Sequence, residues 1–453
     1  MMSVSRAWGF PSAALGLIAA IGLIAASTAA PSAQAPAGSA VAAHAPVTFT
    51  KDVAPILQRS CVVCHRPDQI APMSLKTYED ARPYARSIKN RTVSRIMPPW
   101  HIERNVGITS FKDDPSLTDE EIATLAAWAD QGAPKGNDAD MPAQRLFGDE
   151  DETVWNIGTP DLIVPIPAPY TVKATAPDIF IDFISESGLT EDRYVRAVEA
   201  KPGPGAQRVM HHLLTYVQQT LDESEKLIGQ DTRDNNPTEM FLNEYALGKN
   251  GDILPENTGK LMKAGSRIRF NIHYHSSGKE TVDRSMVGMK FYPKGYVPKY
   301  HQISLQTATT NASLDLPAGQ VTRNDGYYRF STPVRVTAVQ MHAHNLGKRM
   351  CLEVILPNNQ TEQLNCMGWT FSWHKVYNYT EEASPIFPAG SVLHSTLWHD
   401  NSTANRANPD PRNWRGGGDR TIDEMGFSWT TWTGLTEDDY KAMLAEKAKR
   451  NSN

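Results

Sequence analysis

Met341-His342-Ala343-His344-Asn345-Leu346-Gly347-Lys348 is the stretch on which the reading of this chain turns. Just before it, Val334, Val336 and Ala338 alternate with Arg335 and Thr337, the period of a strand. The alternation blurs at Val339-Gln340-Met341, as in a strand leaving its core. Residues i and i+2 of a strand point the same way, so His342 and His344 present two imidazoles to one ion. By parity they continue the face of Val334, Val336 and Ala338, read here as the inward one. Two imidazoles are an incomplete site, so a third ligand must come from elsewhere in the chain.

The 13 histidines cluster. Besides His342 and His344 there are His211-His212 and His273-Tyr274-His275, each in or at the end of a strand-like run (209–217, 267–275, 334–344). Neighbours on an ideal strand face opposite ways. His211 and His212 therefore share an ion only at a strand end, at a bulge, or through different ring nitrogens. Zinc favours a closed Cys/His tetrahedron, but the cysteines here belong to other motifs. Imidazoles with a nearby thioether suit copper moving between Cu(II) and Cu(I). The best-placed thioether is Met425, in Asp423-Glu424-Met425-Gly426-Phe427, shortly after Gly416-Gly417-Gly418, a run that lets backbone approach closely. Its competing role is a core methionine.

Cys61-Val62-Val63-Cys64-His65 is a C-x-x-C-H run, the attachment signature of haem c, with two thioether bonds and a histidine on iron. A thioredoxin-like dithiol would need a βαβ context and a zinc site a second C-x-x-C; neither is present. The sixth iron ligand is assigned to Met97 in Arg95-Ile96-Met97-Pro98-Pro99-Trp100, where prolines stiffen the presenting loop. Met73 and His101 are the alternatives. A helix follows: Thr118 and Glu121 form a capping box, Ile122, Leu125 and Trp128 an apolar stripe, and Gly132 the stop. Residues 136–155, with Asp138, Asp140, Asp149, Glu150, Asp151 and Glu152, read as a solvated linker.

The chain of 453 residues is long enough for about three domains. A net charge of −5 without a dense Lys/Arg tract argues against nucleic acid as a partner. Arg6, the apolar run 13–26 and the small residues after it read as an export signal, which puts the rest in the periplasm. The alternative, prompted by Pro31 and Pro36, is an uncleaved membrane anchor. Residues 27–46 are Ala/Pro/Ser-rich, a flexible lead-in. Cys351 and Cys366 flank strand-like runs 352–356 and 361–364, numbered symmetrically about Asn358-Asn359. A hairpin turning there sets them opposite each other, and export favours a disulfide.

From Trp155 onward, short strand-like segments (161–166, 179–184, 194–198, 267–273, 286–291, 302–306) recur between Pro, Gly and Asn/Asp clusters, and no long helix is expected until 437–448. That pattern predicts antiparallel sandwiches, with room for two. The expected architecture is multidomain: signal and lead-in over 1–46, an all-α unit over 47–135, a linker over 136–155, two jelly-roll-like all-β sandwiches over 156–300 and 301–436, and a C-terminal helix over 437–453.

Two resemblances sharpen this. Residues 47–135 resemble a small class I cytochrome c domain bearing a Met-Pro-Pro-Trp segment. His211-His212, Asn271-Ile272-His273-Tyr274, His342-Ala343-His344-Asn345-Leu346-Gly347-Lys348 and Asp423-Glu424-Met425 resemble, in that order, the metal motifs of the copper type II, ascorbate-dependent monooxygenases. That family includes the peptidylglycine α-hydroxylating and dopamine β-monooxygenases. The resemblance implies two copper ions beside one covalent haem c: His211, His212 and His273 hold an electron-entry copper, and His342, His344 and Met425 the copper where O₂ binds and a C–H bond is cut. It also implies two sandwiches facing each other across a solvent-filled cleft, with His275 left outside the ligand sets. Peptide-amidating members carry an Arg two residues before His-x-His, and an Asn and a Tyr two and four residues after the methionine. Here those positions hold Gln340, Phe427 and Trp429. A glycine-extended peptide is therefore not the expected substrate; with Trp432 nearby, a small neutral, apolar or aromatic molecule is. The haem would feed electrons to the His211 copper from an unidentified donor, tethering raising its effective concentration. A non-catalytic haem/copper electron-transfer or redox-sensing protein is the alternative function.

Overall fold

The computed structural model describes residues 46–67, 69–147, 154–221, 239–246, 249 and 251–451. The export signal, the lead-in before Pro46 and the acidic residues 149–152 lie outside them. Helices open the described chain: a π-helical turn Phe49–Val53, then α1 (Ala54–Ser60), α2 (Tyr78–Ala81), α3 (Ala85–Val93) and α4 (Asp119–Asp130). Helix α4 begins at the expected capping box, with Thr118 and Glu121 each accepting the other's backbone N–H. It buries Leu125 and Trp128, and the chain turns away at Gly132 with φ +83°. Phe49, Leu57, Ile88, Leu125 and Trp128 form the core of this part.

An all-α cytochrome c unit over 47–135 is not evident. The helices are short, and the stretch between α3 and α4 leaves them for the β-structure. Ile102 and Phe111 form bridges to Met367 and Tyr379 and sink into the core there. Glu103 accepts from Arg349 Nε and Nη2 at 2.5 and 2.9 Å. Without helical periodicity of their own, these apolar residues find burial on the nearest sheet. The expected solvated linker is corrected in part too: Phe147 is buried against the helices, with the Arg66 guanidinium 4.2 Å above its ring.

Among the described residues the strands form a ten-stranded sheet, two four-stranded sheets and two two-stranded ribbons. One four-stranded sheet runs, in spatial order, Ile179–Glu186, Arg267–Tyr274, Met210–Gln218, Glu239–Ala246; the other Val321–Arg329, Val392–Asp400, Gly347–Ile355, Thr361–Gly368. The ten-stranded sheet passes behind both and closes a sandwich with each. One core gathers around Phe270, Ile272 and Val287, the other around Val336, Met341 and Leu352. The two sandwiches are joined edge to edge inside that sheet, where Tyr300 and His301 pair in parallel with Thr258 and Gly259. Helix α5 (Glu437–Asn451) ends the chain. The described residues contain no helix long and apolar enough to cross a membrane.

The cysteine hairpin forms as expected. Cys351 and Cys366 are register partners and are disulfide-bonded, closing a separation of 15 residues. A loop of that size restricts the unfolded chain enough to contribute about 3 kcal/mol. Changing both cysteines to alanine is therefore expected to lower the unfolding free energy by about that much in a denaturant titration, and reductant should reproduce the loss in the unmodified protein.

Two β-bulges decide where the histidines point. The strand Val334–Ala343 shifts register against Gly426–Gly434 between Val336 and Ala338. Val334 and Val336 face the core before the shift, and Val339, Met341 and Ala343 after it. The simple parity expectation therefore fails. His342 lies on the face of Ala338 and Gln340, turned away from its own core and toward the first sandwich, because the extra residue at Thr337 exchanges the two faces. The strand Met210–Gln218 carries the second bulge, between Met210 and His212 against Arg267–Tyr274. Met210, Leu213 and Val217 stay in the core while His211 and His212 both emerge on the opposite face.

Candidate metal centres

His212 is the register partner of His273, and His211 is the extra residue of the bulge beside them. Ligand atoms of His211, His212 and His273 all lie within 4.8 Å of one another. His211 Nε2 donates to the Phe371 carbonyl at 3.1 Å, which fixes that tautomer and aims Nδ1 at the His273 ring, 3.0 Å from its Nδ1. The His212 Nδ1 atom is buried with no hydrogen-bond partner. Burial lowers the pKa of all three, that of His273 to about 4, so they are neutral imidazoles, the ligand form. His275 stays outside the group. Its Nδ1 sits 2.7 Å from one oxygen of Asp178, whose other oxygen lies 3.2 Å from His273 Nε2, in ion-pair range without hydrogen-bond geometry.

His342 and His344 stand at the end of the other bulged strand, ring centroids 5.5 Å apart. Burial and the neighbouring His344 push the His342 pKa down to about 3. His344 Nδ1 donates to the Asp423 carbonyl at 3.1 Å, leaving Nε2 as the ligating atom. Met425 immediately precedes the strand Gly426–Gly434, whose Gly426 pairs with Ala343, so its backbone lies beside His344. Two groups hold it there. The buried Glu424 carboxylate accepts the backbone N–H of His344, of Leu346 at 2.8 Å and of Met425 at 3.0 Å. His399 Nε2 donates to the Met425 carbonyl at 3.0 Å. The glycine run acts as the sequence predicts: Gly417 bridges Glu424, and a Cβ there would run into the Asn311 carbonyl.

The sequence did not single out His374, in the loop between the strands Thr361–Gly368 and Tyr377–Asn378. It is 4% exposed, with ring centroids 4.7 Å from His211, 5.5 Å from His212 and 5.3 Å from His342. The two histidine groups are thus in contact through one side chain, not parted by an open cleft. A lone histidine in a loop carries no periodic signal, so only the fold reveals it. The next residue, Lys375, lies within electrostatic range of Cys64 and His101.

Cys61 and Cys64 are not disulfide-bonded and lie on the turn after α1. Burial pushes the Cys61 pKa up to about 12, the reverse of what a reactive or zinc-bound thiolate needs. His65 Nδ1 donates to the Met73 carbonyl at 3.2 Å and so keeps Nε2 for a ligand. Met97 precedes a cis proline on the loop after α3, and His101 donates its backbone N–H to the Tyr377 hydroxyl at 3.3 Å.

No protein-family model matches the chain, and no curated protein matches it in sequence. Similar solved structures include peptide N-glycanase F (PNGase F; 8% identity, TM-score 0.25, 61% of this chain and 96% of that one). Others are PNGase F, a glycosylasparaginase from Flavobacterium meningosepticum (9%, 0.26, 61% and 96%) and a protein of infectious bursal disease virus strain Gx (9%, 0.17, 60% and 71%). Overlaps this loose have no bearing on the site.

Along the face that carries His342, a cavity of about 750 Å³ opens between the sandwiches. Gln340 and Trp429 line it, together with Phe241, Glu244 and Lys260. Phe427 instead stacks on His342 with centroids 4.6 Å apart, and Trp432 lies in the core. Lys260 Nζ donates to the Phe241 and Leu242 carbonyls at 3.1 and 2.8 Å, and Gln340 Nε2 to Glu244 at 3.3 Å.

Burial raises the Glu244 pKa from 4.5 to about 7. The folded protein then holds a proton that the unfolded chain releases near pH 4.5, so the group's contribution is full below that pH and is lost as pH rises through 7. The loss amounts to up to about 3 kcal/mol. Glu244→Gln should be the more stable protein at pH 8 and lose that advantage at pH 4, read as the difference between the two unfolding curves.

Proposed function

We propose that the chain is an exported copper-dependent monooxygenase that hydroxylates a C–H bond of a small organic substrate, with electrons arriving through a covalently attached haem c. The observation that carries this reading is the convergence of His211, His212 and His273 with His342 and His344 from separate strands, beside the backbone of Met425. The donor set fits copper: neutral, buried imidazoles, with His212 Nδ1 lacking a hydrogen-bond partner, and a methionine on the adjoining backbone. Bound copper would supply one-electron redox chemistry and a place for O₂. The overall balance is substrate C–H plus O₂, two electrons and two protons giving the alcohol and water.

The chain's own residues orient and enclose. The Phe371 and Asp423 carbonyls fix the ligating nitrogens of His211 and His344, and Glu424 and His399 hold the Met425 backbone. Substrate would lie in the cavity lined by Trp429, Phe241 and Gln340, where no arginine occupies the Gln340 position to clamp a peptide carboxylate. Cys61 and Cys64 would carry the haem thioethers and His65 Nε2 the iron. The Met73 carbonyl is engaged by the His65 ring, which leaves Met97 as the residue that would supply a thioether to the iron. His374 against the imidazoles and Lys375 near Cys64 are consecutive, so one peptide unit spans from one redox group toward the other.

The test mixes copper-loaded, haem-reduced protein with O₂ and a small-molecule panel. Substrate-dependent O₂ uptake, a hydroxylated product, and haem reoxidation faster than in His212→Ala support the reading. Reoxidation without substrate-dependent uptake makes the protein an electron relay instead.

A further inference from the structure

His374 has no role in the ligand sets described above, yet it is the side chain that both share. Its Nε2 is buried and has no hydrogen-bond partner. A buried polar atom left unpaired is destabilising, a cost that a ligand completing the group removes. The surroundings name the ligand's chemistry. The ring is enclosed by His211, His212 and His342, with Trp369 at 4.9 Å and Phe371 at 6.1 Å walling the remainder. Among these rings His212 offers a second unpartnered nitrogen. Two unpaired imidazole nitrogens in one enclosure, without a carboxylate on His374, fit a soft or borderline metal ion better than water or an anion.

The geometry points to His374 as a sixth imidazole ligand, adding Nε2 to the metal that His211, His212 and His273 would hold while its ring stands against His342 of the other group. This rests on the copper reading above and extends it. A neutral imidazole offers one lone pair and so serves one ion; the His374 ring stands nearest to His211, so its contribution is read at that ion.

The experiment titrates copper into the full-length haem-loaded protein, counts metal per chain, and records Cu(II) electron paramagnetic resonance with Cu(I) affinity by chelator competition. The expected result is two coppers per chain, with nitrogen splitting at the His211-group ion that includes the His374 ring. In His374→Ala and His374→Gln, Cu(I) affinity should fall by more than the roughly 10- to 100-fold that loss of an outer hydrogen-bond partner costs, and the copper retained should lose one nitrogen from its splitting. Two variants guard against misfolding, because glutamine keeps the volume and a hydrogen-bonding end. Two coppers with unchanged affinity and unchanged spectra in both variants overturn the role of His374 and leave the copper reading intact. No copper in the unmodified protein overturns both.

Discussion

Replacing His344 with alanine is expected to abolish substrate-dependent O₂ uptake and to lower bound copper from two ions per chain to one. The side chain is 6% exposed, its Nδ1 is committed to the Asp423 carbonyl, and its own carbonyl accepts from Trp369 Nε1 at 2.9 Å. A ring fixed at Nδ1 on an anchored backbone is pre-aimed. The rate should fall by far more than the roughly 10- to 100-fold that losing an outer orienting partner costs. Asp423 bonds this ring through its backbone carbonyl, which Asp423→Ala keeps, so copper content should stay at two per chain, which makes it the matched control. An oxygen electrode and metal analysis of the same preparations read the result. A His344→Ala protein within tenfold of the original rate contradicts the assignment.

Glu424→Ala is expected to be the most destabilising single change near the site. The carboxylate is fully buried and accepts three backbone N–H groups, those of His344, Leu346 and Met425. Burial raises its pKa to about 7 even against those donors. Truncation strands three buried donors at about 1–3 kcal/mol each, so an overall loss of about 3–5 kcal/mol follows. The Met425 segment should loosen with it. The variant would keep the His211-group copper and lose the other, and Glu424→Gln, with one acceptor oxygen left, should fall between. Denaturant unfolding with copper counting measures both. An unchanged midpoint for Glu424→Ala would show that those N–H groups find other partners.

The sequence made the local pairings legible and left the nonlocal ones dark. Cys351 and Cys366 are register partners because a two-strand hairpin preserves the symmetry of residue numbers about its turn. The α4 start was readable because a capping box is complete within four residues. The strand runs carrying His211, His273 and His342 were visible as period-two patterns, and the bulge that His211-His212 would need was a stated option. The bulge at Thr337 was not visible. Nothing in Val336-Thr337-Ala338 announces an unpaired residue, and one such residue moved His342 from its own core to the facing surface. The parallel pairing of Tyr300–Thr307 with Thr258–Met262, which fuses the sandwiches into one sheet, joins segments about 40 residues apart without a local marker. Ile102 and Phe111 read as part of a helical unit because composition does not say which core an apolar residue joins.

The central claim is that imidazoles from separate strands converge to bind redox-active metal beside an attached haem. Metal and haem analysis of the protein purified from the periplasm tests it most directly. The account predicts one covalent haem and two coppers per chain, with His212→Ala and His342→Ala each lowering the copper and leaving the haem. One haem with no copper above background, in protein whose histidines are intact, would contradict it.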